Sequence, residues 1–346
     1  MAELDTGVAI RKVSEATPGL SSRRVPLTEI PVIDLSPLGG TDAAAKRAMS
    51  EQLRRACIDI GFFYIRGHGV PGAAIDALLD ISHRFFALPE DDKLEIDIAK
   101  SAFNRGYIPL YGEKNNANSK GDVKETFDMA VEIAPDDPVL AEGNPLYGPN
   151  QWPSALPAFR PAMEGYYREI TALSHRLYRA FALALELPED FFLDMLDKPL
   201  DILRILHYPP QPVVEDADQI GTGAHSDFDC FTILRQDEVG GLQALNSASE
   251  WLDAPYIADT FLINVGDMLE RWSNGLFVST VHRVINRSDR HRYSTVFFAA
   301  PNYDVEVACL PSCTGDDFPA RYEPILAGDY IISRYNEILV DPAAQD

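Results

Sequence analysis

Residues 224–234 read AHSDFDCFTIL, in which His225 and Asp227 stand two positions apart just before an apolar run typical of a β-strand. That run, FTILRQ (231–236), belongs to a series of short β-like runs after Pro199, separated by turn residues. The others are ILRILHY (202–208), GLQALN (241–246), TFLINVG (260–266), FVSTVHRVIN (277–286), YSTVFFAAP (293–301) and VEVACL (305–310). Short strands at this spacing predict an antiparallel sandwich or barrel.

The chain before this β-rich half is richer in predicted helices. Strand-like runs occur at 31–39 and 61–71, whereas 3.6-residue periodicity and turn signals predict helices over about 41–60, 73–88, 161–187 and 325–339. Residues 103–133, with mixed Gly, Asn, Lys and aromatics, are predicted to be irregular, and 134–160 are rich in Pro, Gly and Asn.

We therefore expect an α+β fold with a mainly β core, organised as one compact unit. The expected segments are a flexible arm (1–28), an amino-terminal α/β region (29–145), a linker with the long helix (146–200), the β core (201–312) and a carboxy-terminal helical segment (313–346).

The charge balance restricts the partners of the chain. Thirty Lys and Arg against 53 Asp and Glu give a net charge of −23, which disfavours non-specific binding to nucleic acid or anionic membranes. The first residues lack the apolar core of a signal peptide, and no stretch of about 18 uncharged apolar residues predicts a membrane span. Four cysteines without a CxxC pair favour reduced thiols in a cytoplasmic protein.

The H-x-D of the opening stretch becomes a candidate metal site when it is considered together with a third residue, His282. Residues i and i+2 of a strand share one face, so His225 and Asp227 present an imidazole and a carboxylate side by side, with Asp227 at the strand edge or just outside it. Most such surface pairs bind nothing, and an isolated strand histidine such as His282 is usually a packed core residue. Together, however, two His and one carboxylate make the facial set of non-haem Fe(II) oxygenases, which leaves coordination positions open.

Ten residues after His282 the sequence reads RYS, which places Arg292 and Ser294 on one strand face. A guanidinium beside a hydroxyl can hold a carboxylate through parallel hydrogen bonds. The alternative is a surface Arg in the basic patch 287–294.

The ordered set of H-x-D, His 55 positions later (282 − 227) and R-x-S resembles the isopenicillin N synthase-like group of Fe(II)/2-oxoglutarate dioxygenases. Further stretches resemble this group in order, over about residues 30–340: IPVIDLSPL, GFFYIRGHGVP, FFALPEDDK, RGYIPLYGE, LHYPPQP, GGLQAL, LINVGDMLERWSNGLFVSTVHRV and RYSTVFFAAP.

The resemblance implies a double-stranded β-helix, or jelly roll, with flanking helices and its dioxygenase core at 201–312. It implies His225, Asp227 and His282 as Fe(II) ligands, and Arg292, Ser294 and Tyr208 as the grip on 2-oxoglutarate. Many plant members have Asn where this chain has Leu206, two residues before that Tyr. The implied reaction uses O2 to convert 2-oxoglutarate to succinate and CO2 while a small molecule is hydroxylated, desaturated or cyclised.

Substrate contacts implied by position are Arg105, Tyr107, Phe127 and Phe228, and each of them has an equally good interpretation as a core or surface residue. The remaining histidines, His68, His83, His175, His207 and His291, are interpreted as structural or exposed. Gly266-Asp267 and the segment 273–275 are interpreted as turns.

Three alternatives stay open at this point. An iron oxidase of the isopenicillin N synthase type uses no 2-oxoglutarate, an ethylene-forming enzyme fragments it, and a non-catalytic jelly roll binds a ligand without chemistry. The substrate and the oligomeric state are not indicated by the sequence.

Overall fold

A computed structural model describes residues 23–24, 30–114, 121–134, 136–211 and 219–338. Apart from 23–24, the predicted arm (1–28) lies outside the described residues, as does the end of the carboxy-terminal segment. In chain order the elements are β1 (Arg23–Arg24), β2 (Val32–Asp34), α1 (Ala43–Asp59), β3 (Phe62–Arg66), α2 (Gly72–Phe86), α3 (Glu90–Leu94), β4 (Gly106–Ile108), β5 (Glu125–Ala130), α4 (Phe159–Ala184), β6 (Ile202–Tyr208), β7 (Thr222–His225), β8 (Phe231–Gln236), β9 (Leu242–Leu245), β10 (Trp251–Asp253), β11 (Phe261–Val265), α5 (Asp267–Trp272), β12 (His282–Val284), β13 (Arg292–Ala299), β14 (Glu306–Val307), β15 (Ile325–Leu326) and α6 (Ala327–Ile338).

Two β-sheets form the centre of the described chain. The major sheet has eight strands in the order β2-β3-β11-β8-β13-β6-β5-β4, and the minor sheet has five in the order β1-β10-β9-β12-β7. The arrangement is the double-stranded β-helix with flanking helices, which confirms the predicted α+β class. The major sheet takes strands from both the amino-terminal region and the β core, so these regions share one structural unit.

The major sheet is buried on both faces, and its alternating side chains enter two different cores. On β3, Phe63 and Ile65 belong to the core shared with the helices, whereas Phe62 and Tyr64 belong to a second core that also holds residues of the minor sheet. In the first core, the ring of Phe181 from α4 lies 4.9 Å from that of Phe231 at the start of β8. Strands buried on both faces read as continuous apolar runs, which is why β6 and β8 are correctly predicted from the sequence.

Other sequence predictions are wrong. The stretch 103–133 contains β4 and β5, and β5 was missed because its sequence ETFDMA carries acids at buried positions instead of an apolar run. Asp267 is not in a simple turn but begins the buried helix α5. Within the run 277–286 only His282–Val284 pairs as a strand. None of the helices in the described part of the chain has the length and apolar character needed to cross a bilayer.

Candidate active site

The H-x-D histidine and the downstream histidine lie directly opposite each other on neighbouring strands. His225 is the last residue of β7, His282 is the first of β12, and the two are Cα partners in the antiparallel ladder. Their ring centroids are 4.3 Å apart. Asp227 lies two residues beyond the end of β7, with its Oδ1 3.6 Å from Nε2 of His225 and 3.7 Å from Nε2 of His282. The three ligand atoms thus lie within 4.8 Å of one another.

Hydrogen bonds fix which ring nitrogen of each imidazole faces this point. Nδ1 of His225 donates to the carbonyl oxygen of Gly223 at 2.8 Å, and Nδ1 of His282 donates to that of Thr280 at 3.2 Å. Both Nε2 lone pairs are therefore free to bind a metal. Burial, and next the neighbouring His282, lower the pKa of His225 to about 4, so its imidazole is neutral at physiological pH.

The carboxylate of Asp227 is held by two side chains on its far oxygen. Oδ2 accepts hydrogen bonds from Nδ2 of Asn264, at 2.7 Å, and from the hydroxyl of Thr232, which leaves Oδ1 turned toward the imidazoles. Burial alone would raise the pKa of Asp227, but the two imidazoles and these hydrogen bonds outweigh it and lower the pKa. Two imidazoles and one carboxylate facing one point fit the ligand set that Fe(II) takes in oxygenases.

Arg292 is a buried cation and not part of a surface patch, since only 1% of it is exposed. Its Nη1 donates to Oγ of Ser294 at 3.1 Å, and its guanidinium carbon lies 4.6 Å from the ring centroid of Tyr208. Among the described residues no carboxylate lies within ion-pair distance of it. A buried charge is costly unless it is paired, so this site is built for an anion.

The ladder between β6 and β13 places the anion site beside an apolar wall. Arg292 pairs with Tyr208 and Ser294 pairs with Leu206, so these side chains share the sheet face that lines a central cavity. The Tyr208 hydroxyl lies 3.2 Å from Oγ1 of Thr222. Leu206, where many plant relatives of the resembled group have Asn, thus contributes apolar surface beside the Ser294 hydroxyl.

The cavity joins the metal triad, the anion site and a third, charged wall, and its volume is 730 Å³. The charged wall is formed by Glu113, Lys124, Asp128, Arg204 and Asp229. Arg204 makes two bonds to Asp128, of 2.7 and 2.6 Å, and also contacts Glu113 at 2.9 Å. Lys124 lies 3.1 Å from Glu113.

The charges of this wall shift one another's ionisation. Burial opposes ionisation of Glu113, but Arg204 and Lys124 outweigh it and lower the pKa to about 2. Burial and the nearby charge of Asp227 raise the pKa of Asp229 to about 8. Sequence reasoning missed the wall because it took 103–133 as irregular. The signal was present as charged residues on alternate positions, Asp122, Lys124 and Asp128, which share one strand face.

Of the four predicted substrate contacts, only Phe228 lines the cavity. Two of the others face away because side chains alternate along β4 and β5: Tyr107 and Phe127 are Cα partners on the helix-facing side, whereas the neighbouring Asp128 faces the cavity. Tyr107 donates to Glu125 at 2.5 Å. Arg105 binds the backbone carbonyls of Val131 and Leu146, each at 2.9 Å, and that of Gly148. These three side chains do not line the central cavity, and their role as substrate contacts stays a prediction.

His207 faces away from Tyr208, as predicted from strand alternation. Its Nδ1 lies 2.7 Å from Oε1 of Glu125 and its Nε2 lies 2.7 Å from Nδ1 of His291. The pair lies on the other side of the sheet from the cavity, in keeping with a structural role.

Comparisons with known proteins agree with this geometry. A model described as non-haem dioxygenase in morphine synthesis N-terminal matches residues 30–155, and one described as 2OG-Fe(II) oxygenase superfamily matches residues 199–301. The 2-oxoglutarate-Fe(II) type oxidoreductase hxnY of Emericella nidulans is 38% identical over 315 residues, which cover 90% of each chain.

Solved structures show the same fold over most of the chain. A 2OG-Fe(II) oxygenase family protein from Caulobacter crescentus superposes with a TM-score of 0.78 at 32% identity, covering 89% of this chain and 98% of its own. A full-length Neurospora crassa protein, solved in complex with alpha-KG and thymine, gives a TM-score of 0.79 at 28% identity, covering 89% of this chain and 96% of its own.

Proposed function

Because the chain belongs to the 2-oxoglutarate- and Fe(II)-dependent oxygenase superfamily, we propose that its cavity hydroxylates a small molecule at a metal held by His225, Asp227 and His282. The family uses Fe(II), 2-oxoglutarate and O2 and acts on small-molecule substrates. Arg292, Ser294 and Tyr208 are proposed to hold 2-oxoglutarate, and Phe228 to contact the substrate.

One observation supports this assignment: a buried guanidinium, which has no carboxylate partner among the described residues, and the metal triad open into one cavity. A dicarboxylate satisfies both, since one end pairs with Arg292 while the other reaches the metal. Bound to the triad, Fe(II) would supply the redox chemistry by which O2 converts 2-oxoglutarate to succinate and CO2 and oxidises the substrate.

The residues of the chain provide binding, orientation and exclusion of water. Arg292 neutralises the distal carboxylate, and the hydroxyls of Ser294 and Tyr208 are placed to orient it. Leu206 and Leu234, on the same wall, cover the methylene groups of the cosubstrate. Thr232 and Asn264 keep the carboxylate of Asp227 turned toward the metal position.

The proposal is tested by steady-state succinate formation in an Arg292→Lys variant. Lysine keeps the charge but loses the planar, two-point grip, so we expect the KM for 2-oxoglutarate to rise by about tenfold or more. The matched control is Arg290→Lys in the same segment, because Arg290 is exposed; its KM should stay at the wild-type value.

The same assay separates the alternatives. Consumption of O2 without any requirement for 2-oxoglutarate would identify an oxidase of the isopenicillin N synthase type, and ethylene in the headspace would identify the ethylene-forming reaction. A substrate product that gains one oxygen atom supports hydroxylation, whereas loss of two hydrogens identifies desaturation or cyclisation.

We also propose a cytoplasmic location. Cys57, Cys230, Cys309 and Cys313 are all free thiols, as is usual in a reducing compartment. Fractionation of the source cells with thiol labelling tests this; recovery of oxidised protein from a secreted fraction would contradict it.

A further inference from the structure

Asp229 is a buried acid that the proposed reaction does not use. It lines the central cavity two residues after Asp227, and only 9% of it is exposed. Its carboxylate is engaged by its own backbone N–H, and no other described residue forms an ion pair or a side-chain hydrogen bond with it. Burying an unpaired carboxylate is unfavourable unless a partner arrives, so its position requires an explanation.

The basic residues of the charged wall are not available as that partner. The guanidinium of Arg204 is bonded to Asp128 on both nitrogens and to Glu113, and Lys124 is 3.1 Å from Glu113 and 3.0 Å from Asp122. Each cation therefore already contacts two carboxylates. Asp229 is therefore left as a buried acid without a basic partner among the described residues, in the half of the cavity beyond the metal triad, where a bound cation would supply the missing counter-charge.

Aromatic rings surround the same part of the cavity. Phe228, Phe298 and Tyr335 all line it. Burial is the main cause that raises the pKa of the Tyr335 hydroxyl, and the nearby Asp229 is the second. Two of these rings already contact cations of the protein. The Arg204 guanidinium lies 5.8 Å from the Phe298 ring centroid, and the Arg334 guanidinium lies 4.8 Å from the Phe228 ring centroid. Aromatic faces attract cations, so an acid that lines the same cavity as these rings suits an organic cation.

We propose that Asp229 is a specificity residue that pairs with a positively charged nitrogen group, an amine or a guanidine, on the small-molecule substrate. The inference rests on the proposed function, because it assumes that the substrate occupies this cavity. Asp229 is two residues from Asp227, at most about 7 Å along the chain, so the cation is held within a small molecule's length of the metal triad.

The experiment uses pairs of compounds that match in size and differ in charge: n-butylguanidine with n-butylurea, and cyclohexylamine with cyclohexanol. Binding is measured by calorimetry to the full chain loaded anaerobically with Mn(II), a redox-inert substitute, and 2-oxoglutarate. We expect the cationic member of each pair to bind more tightly. In an Asp229→Asn variant its dissociation constant should rise at least about tenfold, while that of the neutral member stays within about twofold.

The matched control is Asp97→Asn, since Asp97 also lines the cavity and its amide can still accept the hydrogen bond from the backbone of Ala99; cationic binding should be unchanged. If Asp229→Asn does not fold, Asp229→Ser must show the same pattern. No preference for the cation in the wild type, including no binding at millimolar concentration, overturns the inference, and so does equal loss for both members of a pair.

Failure of the inference can be told from failure of the proposed function. Succinate formation by the Fe(II)-loaded wild type leaves the proposed function intact, whatever preference for charge the cavity shows. Absence of succinate under all conditions contradicts the proposed function itself.

Discussion

Asp227 lies between two imidazoles and two hydrogen-bond donors, and its two oxygens have separate tasks. Oδ1 faces His225 and His282, while Oδ2 accepts from Asn264 and Thr232. Without these donors the carboxylate could rotate, and the metal would lose a fixed ligand. Supporting hydrogen bonds of this type commonly change metal affinity by about tenfold to a hundredfold.

The variant Thr232→Val removes one of these donors with little change in shape. We expect the dissociation constant for Mn(II), measured by anaerobic titration calorimetry, to rise by about tenfold, together with a loss of about 1 kcal/mol in unfolding free energy. Thr260→Val is the matched control, because that buried hydroxyl donates to the carbonyl of Ile257 away from the metal. It should lose similar stability and keep its metal affinity. Equal metal affinity in both variants would remove Thr232 from a positioning role.

At the scale of elements, the metal ligands sit where an edge strand pairs with its neighbour. β7 is the last strand of the minor sheet, and its contact with β12 runs through the partners His225 and His282, with an irregular register between His282 and Val284. A metal that binds both histidines would tie this edge together.

Removal of the metal should therefore loosen one edge of one sheet. We expect chelation to increase amide hydrogen exchange in Thr222–His225 and His282–Val284, while Arg292–Ala299 in the major sheet keeps its protection. Exchange followed by mass spectrometry on metal-loaded and chelated protein makes the comparison. A uniform increase across both sheets would mean that the metal stabilises the fold as a whole.

A buried polar cluster joins four elements on the helix-facing side of the major sheet. Glu125 of β5 accepts from Lys93 of α3 at 2.6 Å and from Tyr107 of β4, and it lies 2.7 Å from His207 of β6. Burial would raise the pKa of Glu125, but the hydrogen bonds from His207, Lys93 and Tyr107 outweigh it and lower the pKa.

Glu125→Gln should leave Lys93 buried without its counter-charge. We expect a loss of about 3–5 kcal/mol in unfolding free energy at pH 7, measured by urea denaturation. Because the folded-state pKa of Glu125 is depressed, its stabilisation is present above the unfolded value of about 4.3 and is lost as the pH falls through the folded value. The difference between variant and wild type should therefore shrink below about pH 4.

The control is Glu164→Gln, which breaks the exposed pair between Arg160 and Glu164 and should cost about 0.5 kcal/mol or less. A loss for Glu125→Gln no larger than this would show that the cluster is stabilised by packing and not by charge.

For the whole molecule, features that depend on motifs in a fixed order along the chain can be predicted from the sequence. Contacts that arise only when distant strands pair cannot. The α+β jelly roll follows from apolar runs such as 202–208 and 231–236, and the burial of Arg292 agrees with the interpretation of R-x-S as an anion grip. The alternating charges at 122, 124 and 128 could have indicated one side of the charged wall, but its pairing could not be predicted, because Arg204 meets Asp128 only through the register of β6 with β5. The position of Tyr107 and Phe127 outside the cavity has the same origin, since one residue of register decides which face of the sheet a side chain occupies.

The shared major sheet also limits how this protein can exchange parts with its relatives. Glu113, Lys124 and Asp128 come from the amino-terminal region, whereas Arg204 comes from the β core, and they form one ionic network. A recombination crossover between residues 134 and 200 would pass on one half of the network without the other and leave a buried charge unmatched. Recombinants are therefore expected to keep the cavity wall only when both regions come from the same parent, and substitutions in the two regions should occur together.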